Sequence, residues 1–198
     1  MPLGAFKAAL MGTAGVSTGD VVLLHDTDYS DAASASITSG IDSTYGEYIF
    51  GFYNVNPATV NVRFGFKASI DSGTGYGVAT TSTAFYAVHR EDDSGTSLSY
   101  VSSDDHAEDD GLITLASGGF SNASDSGMSG TMRLFNPSST TYVKHWNCRE
   151  GNFSSDSPPW QIDSFDAGYV NTTSAVDAIQ FSMSSGNFDG TIKMWGVK

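Results

Sequence analysis

The stretch Asn61–Ser69 sets the tightest limit on what this chain can become. Val62, Phe64, Phe66 and Ala68 alternate there with Asn61, Arg63, Gly65 and Lys67. A period of two puts the apolar set on one face of an extended strand, whereas a helix would scatter it around the axis. Met128–Phe135 repeats the pattern, with Met128, Gly130, Met132 and Leu134 set against Ser129, Thr131, Arg133 and Phe135. Glu47–Tyr53, Thr83–His89, Leu98–Val101, Leu112–Ala116, Thr141–Cys148, Phe165–Val170, Ala178–Met183 and Thr191–Val197 read as further strands, after a first apolar run at Val21–His25. Turn clusters separate them: Asn54–Pro57, Asp71–Gly77, Asn136–Ser139 and Ser184–Gly190. Proline cannot donate to a ladder, and Asn and Gly tolerate turn dihedrals. The polar segment Asp26–Gly40 reads as a loop or an edge segment, and residues 150–164 as a loop ending in Pro158-Pro159-Trp160. About ten strands with no helical pattern between them predict an all-β sandwich or barrel. Two strand–Asn-Pro–strand units, centred on Pro57 and Pro137, suit a jelly roll, which places similar hairpins in its halves.

Composition agrees and excludes other classes. Leu is scarce, Ser, Thr and Gly make up about a third of the chain, and aromatics reach 12%. That disfavours bundles, coiled coils and βαβ enzymes. The 198 residues suffice for one domain with a real core. With 9 Lys and Arg against 22 Asp and Glu, the net charge is −13. Such a surface repels phosphates, so no nucleic-acid partner is expected. No apolar run approaches the roughly 18 residues of a membrane span, so no membrane partner is expected either. Cys148 is the only cysteine, which leaves no disulfide within the chain.

Residues 1–20 form a short N-terminal arm, and residues 21–198 the sandwich. Leu3, Phe6 and Leu10 are the apolar positions of the arm. One lysine, Lys7, and an apolar run broken by Gly4 and Gly12 fit a secretory signal poorly. The arm is read instead as a docking or assembly segment ordered by a partner chain.

Motifs for chemistry are weak. Asp104–Asp110 is the densest acidic run, and Asp26, Asp28 and Asp31 form D-x-D-x-x-D. Neither has the Gly and Glu positions of a calcium loop, so no metal is expected. Gly73, Gly75 and Gly77 imitate a phosphate loop, but no helix follows them. His25, His89, His106 and His145 form no i, i+4 helical pair, though His89 and His145 lie on strands that could bring them together. No G-x-S-x-G elbow or H-E-x-x-H pair occurs. Catalytic residues and cofactors are therefore expected to be none. Aromatics carry more promise. Trp160 follows two prolines in a long loop, and Tyr142 and Trp146 fall on one face of a strand. These three are the candidate contacts for a glycan or a protein partner, because amphipathic rings stack on sugars and at interfaces. Trp146, Tyr142 and Trp195 also suit a core or subunit interface.

Four stretches go further: GAFKAALMGTAGV (4–16), YGEYIFGFYNVNPAT (45–59), LFNPSSTTYVKHW (134–146) and VNTTSAVDAIQFSMSSGNFDGTIKMWGVK (170–198). They resemble a family of small jelly-roll virion structural proteins of tailed bacteriophages, chiefly marine ones. The likeness covers nearly the whole chain, and the final stretch is its most specific part. The resemblance implies a non-enzymatic component of the virion, a homotrimer that contacts other virion proteins. It also implies assembly in the host bacterial cytoplasm. A tail-fibre or tail-tip appendage, with a host-surface glycan as a further partner, is the first expectation. A capsid-decoration protein on the head exterior and a carbohydrate-binding module are the alternatives.

Overall fold

The structure is a computed structural model that describes residues 20–198. Leu3, Phe6 and Leu10 of the expected arm lie outside the described residues. Alternating runs do become strands, and they pair antiparallel throughout. In chain order these are β1 (Val21–Ala32), β2 (Ala35–Ile37), β3 (Glu47–Pro57), β4 (Phe64–Ser69), β5 (Thr80–Arg90) and β6 (Thr96–Tyr100). There follow β7 (Ile113–Thr114), β8 (Met128–Phe135), β9 (Lys144–Phe153), β10 (Trp160–Val170), β11 (Ala178–Met183) and β12 (Phe188–Val197). One sheet has the order β1-β12-β3-β8-β9-β10-β5-β6, the other β2-β11-β4-β7.

These orders define a jelly roll. β1 pairs with β12, β2 with β11, β3 with β8 and β4 with β7. The chain is thus one long hairpin wrapped into two facing sheets. Two additional hairpins, β5–β6 and β9–β10, interrupt the wrap and add four strands to one side of the larger sheet.

The core lies between β12, β3 and β8 of the large sheet and β11 and β4 of the small one. Phe52 meets Phe64 at 5.3 Å and Phe181 at 5.1 Å, both edge to face, and Phe66 meets Trp146 at 5.1 Å in the same way. Such pairs add to the burial of their area. Lys144 is also completely buried. Its ammonium donates to the carbonyls of Tyr142, at 2.8 Å, and Thr172, at 2.9 Å.

Several sequence expectations are corrected. The turn expected at Asn54–Pro57 is strand: β3 runs through it to Pro57, absorbing Asn54 at φ 51° in a register shift between Phe52 and Val55. Of the two readings of Asp26–Gly40, loop or edge segment, the edge holds as far as Ala32, since this stretch is the remainder of β1, the edge strand. Residues 150–164 are mostly strand, with β9 reaching Phe153 and β10 starting at Trp160. The two Asn-Pro units are not equivalent hairpins. β3 leads into β4 of the other sheet, whereas β8 leads into β9 beside it.

Candidate functional site

β7 ends the small sheet, so the added strands β9, β10, β5 and β6, apart from the part of β9 and β10 that Trp146, Cys148 and Val170 tie to the core, extend past the facing layer. Both faces of this extension carry side chains that the core does not use.

Register fixes its outer face. Tyr100 lies opposite Phe85, Phe85 opposite Phe165, and Phe165 opposite Arg149. The rings of Phe85 and Phe165 stack at 4.8 Å with 2° between their planes, and the Arg149 guanidinium lies 4.8 Å from the Phe165 ring centre. Arg149 is held by two bonds to Asp163, at 3.0 and 2.8 Å. Thr83, Thr131, Arg133 and Ala167 complete a shallow groove of about 360 Å³. On this face Leu98 is 75% exposed, Tyr100 64% and Phe85 46%. β6 is the free edge of the sheet. Its sequence, Thr96-Ser97-Leu98-Ser99-Tyr100, holds no charge and no proline.

The opposite edge is defended. β1 turns Asp26 and Asp28 outward, where they meet Lys193 Nζ at 3.0 Å and the Thr191 hydroxyl at 2.6 Å, and two register shifts interrupt its ladder. Charges and bulges are what block chance pairing at an edge. D-x-D-x-x-D is therefore an edge-strand pattern. Among the described residues no three or more His, Cys, Asp or Glu side chains are arranged to hold a metal ion.

The inner face of the extension becomes polar. Cys148, Glu150 and Asn152 on β9 and Ser164 and Asp166 on β10 all point inward and are buried. Loop residues cover them, including Asp104, which Arg63 reaches at 3.0 Å, and Ser117. Asn152 donates to Glu150 at 3.0 Å and Ser164 to Asp166 at 2.9 Å, while Glu150 Oε2 and Asp166 Oδ1 accept no hydrogen bond. Burial pushes the Asp166 carboxyl from the ordinary 3.8 to about 7, against the Ser164 bond and with help from the nearby Asp104. Burial likewise raises Glu150 well above the usual range. Both prefer the neutral form because a carboxylate loses its hydration there. Neither is open to a substrate. The Cys148 thiol, also buried, is pushed up in the same way, which leaves it inert as a nucleophile.

Farther out on the inner face a cleft of about 350 Å³ opens, lined by Tyr86, Val88, Ser97, Gly118, Gly119, Ser154, Asp156, Trp160 and Ile162. Trp160 begins β10 here, with the Arg90 guanidinium 4.5 Å from its ring centre. A Cβ on Gly95 would stand 2.9 Å from the ring, so the β5–β6 turn needs glycine to pass it.

The three candidate aromatics do not come together. Trp146 is 2% exposed and packs on Phe66 in the core, so it cannot stack on a ligand. Tyr142 lies exposed before β9 starts, its amide bonded to Ser139 Oγ at 3.1 Å, and so shares no strand face with Trp146. Only Trp160 lines a cleft. His89 lies opposite Gln161 and His145 opposite Tyr169, at the two ends of β10, so those histidines do not meet. Sequence reasoning missed Phe85, Phe165, Leu98 and Tyr100. Their signal was alternation of parity in Thr83–His89 and Phe165–Val170, read for strand but not for face.

No family model, curated protein or solved structure matches this chain.

Proposed function

We propose that the chain is a non-enzymatic structural protein of a bacteriophage particle, a jelly-roll appendage at the tail that assembles as a homotrimer through the outer face and free edge of β5–β6. The observation that carries this reading is the asymmetry of the large sheet. Edge β1 exposes Val21 and Leu23 but is guarded from Asp26 onward by carboxylates and interrupted by two register shifts, while edge β6 is uncharged along its length and adjoins exposed Leu98, Tyr100 and Phe85. An unguarded edge beside an apolar face marks a surface that another chain covers. Arg149 and Arg133 on this face are neutralised by Asp163 and Glu47. Asp105, which accepts from the Tyr100 hydroxyl, is the carboxylate that remains beside this face, so copies that each carry −13 meet here with less like charge than elsewhere. Jelly rolls recur in viral capsids and lectins, which agrees with the sequence resemblance at the level of fold only.

Quantitative mass spectrometry of purified particles tests the reading. The chain should be present in fixed stoichiometry, at the low copy number of a tail component. Hundreds of copies would place it on the head exterior as a decoration protein. Absence from washed particles would refute a virion role.

A further inference from the structure

We infer that the Trp160 cleft is a binding site for a neutral saccharide chain, a function separate from assembly because it lies on the opposite face of the same strands. A pyranose has an apolar C–H face and a rim of hydroxyls, and the cleft offers both complements. Trp160, Tyr86, Val88 and Ile162 supply ring and aliphatic surface. Asp156 and Ser97 supply polar groups. The volume of about 350 Å³ falls within the roughly 300–1,000 Å³ of small-molecule clefts.

The cleft is built rather than incidental. The Ser154 hydroxyl donates to Asp156 Oδ2 at 3.1 Å, and its oxygen accepts from the amides of Asp156, at 3.3 Å, and Trp160, at 3.0 Å. One serine thus fixes the acid relative to the ring. Arg90, stacked on Trp160, restrains the indole further. The far wall is Gly118–Gly119, joined to the β9–β10 connection by the Ser155 amide, which donates to the Gly119 carbonyl at 3.2 Å. Gly118 sits at φ +84°, and a Cβ there would meet Ile162 Cδ1 at 2.6 Å, so glycine lets the wall lie against the apolar floor.

Charge selects the class of sugar. Asp156 is the one charged side chain among the lining residues, and it accepts hydrogen bonds from hydroxyls. A uronate or sialate would bring a second anion against it, in a chain already at −13. The Arg90 guanidinium over the Trp160 ring offsets Asp156, so the cleft brings no net charge of its own and suits a neutral ligand.

The test is calorimetric titration of the full chain with short glucan, mannan and galactan oligosaccharides, and with an oligo-uronate as the acidic arm. At least one neutral oligosaccharide should bind, and Trp160→Ala should weaken it by roughly tenfold or more. Asp156→Asn should weaken it less. Ser97→Trp, which fills the cleft from the β6 side, should abolish binding while far-UV circular dichroism shows the sandwich still folded. Binding unchanged in Ser97→Trp would overturn the assignment, as would no binding to any neutral oligosaccharide. Binding of the uronate alone would overturn its charge argument. Leu98→Asp, which targets the assembly face, should leave binding intact, so failure of the trimer and failure of the cleft give different results.

Discussion

Asp166 illustrates how one side chain ties the fold to pH. Its carboxyl is raised from 3.8 to about 7 by burial, so the folded state holds a proton that the unfolded chain releases. Stability from this group is complete below about pH 4 and is lost as pH rises through about 7. At about 1.4 kcal/mol per pH unit the loss is of the order of 4 kcal/mol. Glu150 acts in the same direction. Half-buried His25, its pKa lowered by burial, opposes them below its ordinary 6.5. Asp42, Asp71, Asp92 and Asp109, lowered by hydrogen bonds, oppose them only below 3.8. The melting temperature should therefore rise as pH falls from 8 toward 5. Asp166→Asn, which mimics the neutral acid, should flatten that slope in a calorimetric pH series, and an unchanged slope would contradict the assignment. Lys144 gives a second residue-scale prediction. Lys144→Met leaves the Tyr142 and Thr172 carbonyls without their donor and should cost about 1–3 kcal/mol in urea unfolding. None of these roles was legible from sequence. Inward Lys144, Glu150 and Asp166 occupy positions where alternation alone expects apolar residues, and only the loop cover, formed from distant residues, explains them.

At the scale of elements, legibility followed chemistry on the buried face. β4 and β8 were readable because their inward residues are apolar or small beneath the opposing sheet. The end of β9, beyond the Cys148 to which it was read, and the start of β10 were hidden because their inward residues turn polar where that sheet ends. β1 was half hidden because an edge strand bearing aspartates imitates a loop. Packing between elements yields a further prediction. Gly130 on β8 lies opposite Glu150, and a Cβ there would stand 2.5 Å from Glu150 Cβ and 2.6 Å from the Arg149 carbonyl oxygen. Gly130→Val should lower stability by about 1–3 kcal/mol, because β8 and β9 must separate to admit it. A neutral result in urea unfolding would mean that the two strands are more loosely packed than their register implies.

The whole molecule is a jelly-roll wrap widened on one side. The wrap buries the aromatic core, which Trp146 and Cys148 of β9 share, and the widening carries the rest of the added strands past the small sheet. The sandwich class could be inferred from period-two runs and turn clusters, but strand order could not, since pairing of β1 with β12 joins the two ends of the described chain. In the same way Trp160 was singled out by its place in the sequence, while its partners Tyr86 and Ser97 reach it only through the sheet register. A trimer of the proposed kind requires that neighbouring copies cover β6 and the Phe85 face. Sedimentation equilibrium of the full chain and of Leu98→Asp over a range of concentrations tests this most directly. The unaltered protein should sediment at three times the 20.9 kDa chain mass and the variant at a single chain mass. A monomer at every concentration, or a trimer that Leu98→Asp leaves intact, would contradict this arrangement.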